Sequence, residues 1–423
     1  MTAEHRTRRR ILTLAVAAAT GAWIVGAFAV PAGAEAAGHA TYVSTHGKGF
    51  HSGRSCGSAK YSSINAAVTA APVGGTVVVC PGTYKEDVLV NKSLELTGRS
   101  ATIDATGLEN AVQVVASHVT VENLTLTNAN GEGLLVGVDA LADAHLLPPS
   151  SPVLTGETVD GVSALHNDLG FNGTEQGNCK YPGDCGGGIH LNVVSWSTVS
   201  HSKAIGNADG ILLTDDYGPN SHNVVEENLV TDNKTECGIV LPSHSATAVT
   251  FNPTTFAVTS VNPTLGGVYD NVVKDNIALR NGTAPAPPAF GGGGSGSGIG
   301  VFGSGPGSAA YNNVIEGNYM AGNGLAGFTI HAHHPGGEDV NGNKVIGNTF
   351  GTNNVLGDPF DGPPVTDFMT TAIAIFSVPP VHMTITGNKI SNNAIGIWLS
   401  NTVTVTGLNH NTYHHVTTKV VRG

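Results

Sequence analysis

The chain has 423 residues: 57 are glycine, 40% apolar, 12% charged and only 6% aromatic. Its formal net charge is −12, and four of its 19 basic residues lie in the first ten positions, so no basic patch is left to bind nucleic acid. The evenly spread apolar residues exclude a disordered chain, and the length exceeds one compact core unless the fold grows by repetition.

The N-terminus reads as an export signal. Residues 5–10 are basic, 11–30 are apolar, and Ala32-Gly33-Ala34 offers a small-residue cleavage site after the Pro31 break. Cleavage would leave residues 35–60 as an N-terminal segment, with no membrane span in the remaining chain. A secreted protein is the expectation. Five cysteines fit an oxidising compartment. Cys56 and Cys80 bracket the first element of the mature chain, and Cys179 and Cys185 bracket one loop; both pairs are read as disulfides. Cys237 is left over as a small buried residue.

From there the chain repeats. One motif is Asn-x4-Asn-x4-Asn, at Asn223/Asn228/Asn233, Asn271/Asn276/Asn281, Asn313/Asn318/Asn323 and Asn343/Asn348/Asn353. Asn388/Asn393 is a partial copy and Ser197/Ser202/Asn207 a degenerate one. Apolar residues recur three before the middle position: Val199, Val225, Val273, Ile315, Val345 and Ile385. The second motif is Gly-apolar-x-apolar, starting at Gly133, Gly188, Gly210, Gly238, Gly298, Gly327 and Gly396, with Ala372 standing in once. Its period-two alternation predicts a short strand with one buried face.

The two motifs alternate. The shortest full repeat, Asn207 to Asn233, is 26 residues, too short for a βαβ unit of roughly 30. It suits one coil of a parallel β-helix, with strands stacked at about 4.8 Å. An Asn at each bend tolerates left-handed backbone and bonds its neighbours above and below.

This pattern resembles the right-handed parallel β-helix superfamily, which includes pectate-lyase-like enzymes and NosD-type β-helix repeat proteins. Residues 61–84 look like that family's usual opening, a short amphipathic helix capping the solenoid before its first strand. The resemblance implies an all-β, single-stranded right-handed solenoid over residues 61–423, with an N-terminal helix cap at 61–93. It implies little about reaction, because the fold hosts lyases, hydrolases, esterases, epimerases and non-catalytic proteins.

Extra residues fall only beside the Gly strands: before them at 168–186, 282–297 and 354–371, and after them at 137–152, 242–268, 303–310 and 331–340. Such loops would wall a groove on one sheet. Outward positions on that sheet include His190, Thr214, Phe302 and Trp398, the expected substrate contacts. Asp215 and Asp216 leave the strand after Gly210. Counting six from each Gly sets His244 over Asp216 and His333 two coils further, beside His331.

Three chemistries fit Asp215, Asp216, His244, His331 and His333 as catalytic residues. Two carboxylates would act on a glycosidic bond, ~6.5–9.5 Å apart for inversion or ~5–5.5 Å for retention. A histidine would abstract a proton alpha to a uronate carboxyl. Asp216, His244 and His333 would bind a divalent metal, calcium being the cation such a fold would use with a polyanion. The plain alternative is a turn at Asp215-Asp216 followed by solvated histidines. Pectate-lyase, pectin-esterase and full polygalacturonase signatures are absent, and Lys180 and Lys203 are the nearest upstream cations. The expectation is therefore a secreted polysaccharide hydrolase or lyase whose partner is a carbohydrate polymer. A non-catalytic cell-surface or metal-handling β-helix binding protein is the other reading.

Overall fold

The computed structural model describes residues 40–138, 146–147, 153–168, 186–286, 293–358 and 369–423. The expected export signal at 1–34 and the Cys179–Cys185 pair lie outside these residues.

Each coil is built alike. In one, the Gly strand Asp209–Thr214 leads through a loop to the short strand Asn220–Ser221. Left-handed corners at His222, Glu227 and Asp232 (φ +58°, +56° and +59°) then frame the strands Val224–Glu226 and Leu229–Thr231. The next coil repeats this with Ile239–Ser243, Val268–Tyr269, Val272–Lys274 and Ile277–Leu279. Neighbouring coils pair in parallel: Ile189↔Ile211, Ile211↔Ile239 and Ile239↔Ile299 stand in one column. Val225↔Val273↔Ile315↔Val345↔Ile385 form another, all without solvent exposure. Each such side chain adds roughly 1.5–3 kcal/mol by leaving water. The fold is a parallel β-helix.

The asparagines fill the bends. Asn228, Asn276, Asn318 and Asn348 each pass an Nδ2–H to the Oδ1 of the next coil's Asn at 3.0, 3.0, 3.0 and 3.1 Å, the last to Asn388. Each Oδ1 also accepts the backbone N–H of the Asn below, as Asn276 accepts from Asn228 at 2.9 Å. The degenerate copy joins through its backbone, Ser202 N–H reaching Asn228 Oδ1 at 2.9 Å. These ladders pair the buried amides of the Asn blocks and leave the blocks no room for insertions. They also explain the recurring glycine. A Cβ on Gly238 would lie 2.6 Å from Asn281 Nδ2 and 2.6 Å from Gly298 O.

The cap is present. Helix Ile64–Ala70 buries Ile64, Ala67 and Val68, and Ser63 Oγ accepts from Ala66 N–H at its start. The Glu86 carboxylate accepts from Ile64 N–H at 2.8 Å and Asn65 N–H at 3.1 Å, meeting two more free donors. Strand Thr41–Val43 pairs with Val77–Val79, so the solenoid sheet starts ahead of the expected boundary at Tyr61. A disulfide joins Cys56 to Cys80, with Cα atoms 5.5 Å apart.

Candidate functional site

The alternating pattern sets the outward residues of the Gly sheet in columns. His190↔Leu212↔Val240↔Gly300↔Thr329↔Ala374↔Trp398 is one, and Pro242↔Phe302↔His331↔Phe376 is the next. The sheet is covered at its centre. Phe302 lies back over Gly300 and packs with Leu212, Val240 and Cys237. Cys237 is buried, and its sulfur accepts the Ser297 N–H at 3.2 Å, which makes it a packing residue.

At the downstream margin Asp216 and His244 come together. Asp216 Oδ1 lies 2.9 Å from His244 Nδ1, with side chains 7% and 2% exposed. Asn192, one rung earlier, donates its Nδ2–H to Asp216 Oδ2 at 2.8 Å. Burial pushes the Asp216 carboxyl up. The hydrogen bond and charge of His244, the charge of His190 and the Asn192 amide outweigh burial, so it ends below the ordinary aspartate value.

Asp215 does something else. Its side chain is wholly buried and accepts four hydrogen bonds: Ser243 Oγ at 2.8 Å, His244 N–H at 2.5 Å, Ser245 N–H at 3.1 Å and Gly267 N–H at 2.5 Å. It ties the loop after Ile239–Ser243 to the strand Val268–Tyr269. With all lone pairs directed at the chain, Asp215 is a positioning residue, which corrects the catalytic role expected of it.

His190 and Thr214 are also corrected. His190 Nδ1 is 2.8 Å from Glu132 Oε1 and its Nε2 2.8 Å from Thr214 Oγ1. The three are 0–2% exposed, so neither His190 nor Thr214 presents a surface to a sugar. Their acid–histidine–hydroxyl order matches that of a nucleophilic triad, but the burial gives a substrate no approach to Thr214. Burial raises Glu132 to about 8, while the Gly187 N–H opposes it. Glu132 escaped the sequence reading because it precedes its Gly strand and reaches across to the next rung.

The other histidines stand apart. Register carries His244 and His333 into one column two rungs apart, about 9–10 Å at the sheet spacing. His331 and His333 instead join an aromatic file. Ring centroids run Phe302–His331 5.0 Å, His331–His333 5.6 Å, His333–Phe376 5.0 Å and Phe376–Trp398 6.3 Å. Trp398 is 5% exposed, so its expected stacking on a sugar is corrected to packing within this file. Among the described residues no group of three or more His, Cys, Asp or Glu is arranged to hold a metal ion, and the expected Asp216–His244–His333 set reduces to its first two members.

A hairpin, Val249–Phe251 with Val258–Val261, forms part of the wall here and is fixed by the Gly337 N–H on Phe256 O at 2.6 Å. Nearby, Glu338 is buried and raised by that burial to about 7, against the backbone donors of His334 and Gly305.

Residues 88–269 match the family model described as a right-handed β-helix region, and the solenoid is a right-handed one. No curated protein matches the chain. Among solved structures, it is similar to the A-module of a mannuronan C-5 epimerase from Azotobacter vinelandii: TM-score 0.49, 15% identity, 85% of this chain and 92% of that one. A pectate lyase gives 0.45 at 15% identity over 88% of this chain and 78% of its own. An alginate lyase from Paenibacillus sp. str. FPU-7 gives 0.38 at 11% identity over 84% and 95%.

Proposed function

We propose that this is a secreted β-helix protein acting on a carbohydrate polymer, with Asp216 and His244 as its acid–base pair. The observation that carries the reading is the 2.9 Å Asp216–His244 contact, fixed from behind by Asn192 on the outward side of the sheet. A carboxylate on Nδ1 orients a histidine and makes Nε2 its working atom. Because Asp215 is committed to four chain donors, it does not serve as the second carboxylate of the expected glycosidase pair. Proton abstraction from a sugar carbon, the elimination or epimerisation route, fits the remaining pair better. The Cys56–Cys80 disulfide supports an oxidising compartment. Among the described residues no helix is long and apolar enough to cross a membrane.

A second reading, a β-helix protein that binds glycan elsewhere on its surface without turnover, is favoured by the enclosure of the pair, 7% and 2% exposed, which gives a substrate little approach to it. One experiment separates the two. Plant, algal and bacterial glycans are offered to wild type, Asp216→Asn and His244→Gln, scoring unsaturated ends, reducing ends and epimerised product. The catalytic reading expects turnover on some glycan, reduced roughly 10²–10⁴-fold in either variant. Turnover that survives both substitutions removes this site. Binding without turnover leaves the second reading.

A further inference from the structure

The coil that carries Asn192 turns off the sheet more tightly than its neighbours. Strand Gly187–Asn192 passes directly through Val193 into Val194–Ser195 and reaches a corner at Trp196. The coil above takes Asp215 to Pro219 for the same turn, and the next one residues 244–267. Among the described residues, therefore, this coil places no loop of its own between its Gly strand and the outer corner; Gly218, from the loop that carries Asp216, packs on Val193. Trp196 lies four residues from Asn192, at most about 14 Å along the chain.

That corner is built unusually. Trp196 is 66% exposed and sits at φ +59°. Other residues in its column are types that accept left-handed backbone: Gly156 at +77°, Asp270 at +53°, Asn312 at +57° and Gly342 at +73°. A bulky aromatic there is strained by about 1 kcal/mol or more, and so much exposed indole returns little of it through burial. Folding does not ask for this residue. Val193, β-branched and also left-handed at φ +58°, adds a second strained position to the same short turn.

The indole is nonetheless held. His222, one rung up, stacks on it at 4.1 Å and 17°. Tyr269 meets His222 edge-on at 5.9 Å and stacks on Tyr311 at 5.0 Å. Asp270 Oδ2 lies 3.8 Å from His222 Nε2 and is itself part-exposed. One rung down is Gly156, where the His118 ring fills the space a side chain would take. The result is a flat ring held on one face by His222, in a residue that is still 66% exposed.

We propose that Trp196 is an accessory stacking platform for the same carbohydrate polymer, engaging sugar rings that run off the Asp216–His244 site across the short turn. A pyranose presents an apolar C–H face, and the exposed indole is its complement. This rests on the carbohydrate reading of the site. Its function is to retain long chains, so it acts on affinity for polymer.

The test uses the whole protein in native gels cast with soluble β-glucan, xylan, alginate or dextran. It compares wild type with Trp196→Gly and Asp216→Asn. Glycine relieves the φ of +59°, so Trp196→Gly is expected to melt no lower than wild type. Retention of Trp196→Gly should weaken about tenfold, the weight of one strong stacking contact, while Asp216→Asn should still be retained. Equal retention of wild type and Trp196→Gly on every glycan that retards the wild type overturns the platform alone. A wild type that no glycan retards, and that turns none over, overturns the carbohydrate reading and the platform with it.

Discussion

Asn192 and Asp216 hold each other at two points: the Asn192 Nδ2–H donates to Asp216 Oδ2 at 2.8 Å, and the Asp216 backbone N–H donates to Asn192 Oδ1 at 3.3 Å. The two residues are one rung apart, so the link sets the carboxylate in the plane that presents Oδ1 to His244. Removing the amide takes away one of the groups that keep Asp216 ionised despite burial. Asn192→Ala should then raise the Asp216 pKa and move the acid limb of the pH–rate profile to higher pH. Turnover should fall roughly ten- to hundredfold, the worth of one hydrogen bond to a charged group. Asn192→Asp should move the limb further, since it sets a second carboxylate beside the first. A profile that stays in place in both variants would show that Asn192 only packs.

Asp215 should behave as part of the scaffold. Asp215→Ala strands Ser243 Oγ and the N–H groups of His244, Ser245 and Gly267 in a buried position. A loss of about 3 kcal/mol or more in unfolding free energy is expected, read by urea denaturation at neutral pH. Asp215→Asn keeps one carbonyl acceptor and should lose less. If Asp215→Ala unfolds like wild type but is inactive, Asp215 belongs with the chemistry after all.

The solenoid was legible because its two motifs carry their own physical causes. An Asn every coil is required by the ladder, and a Gly before each strand by the space that ladder's Nδ2 and the next carbonyl occupy. Register then follows by counting, which is how Asp216 and His244 were paired. Counting cannot tell whether an outward residue is open or covered. His190, Thr214 and Trp398 point outward as expected, yet Glu132 meets His190 and Phe376 stacks on Trp398 from other rungs. Asp215 was indistinguishable from Asp216 in sequence, because its four donors lie on segments as far away as Gly267.

The ladder makes a sharp prediction of its own. Asn276 sits mid-file: it donates to Val225 O at 2.8 Å and Asn318 Oδ1 at 3.0 Å, and accepts both the backbone N–H and the Nδ2–H of Asn228 at 2.9 and 3.0 Å. Asn276→Ala should cost about 3 kcal/mol, since the partners have no water to turn to. Asn276→Asp should cost at least as much at neutral pH, because it buries a charge and loses both donors. Calorimetry that shows either variant melting within a degree or so of wild type would mean the file is decoration on a fold held by its apolar columns alone.

Glu132 supplies the pH dependence. Burial is the chief cause that lifts it from 4.5 to about 8; nearby Glu109 adds to the lift and the Gly187 N–H opposes it. His190 faces it at 2.8 Å. An acid raised in the folded state keeps a proton that the unfolded chain releases. Its stabilising contribution is therefore complete below about 4.5 and is lost as pH climbs through about 8. The loss is at most about 1.4 kcal/mol per pH unit for one proton. Glu132→Gln keeps an oxygen for Gly187 and an N–H for His190 without titrating. The stability advantage of wild type over Glu132→Gln should thus shrink steadily when unfolding is followed from about pH 5 to about pH 8. The opposite slope, with wild type gaining on the variant toward neutral pH, would mean that Glu132 is ionised against a protonated His190. The buried chain to Thr214 would then begin with an ion pair.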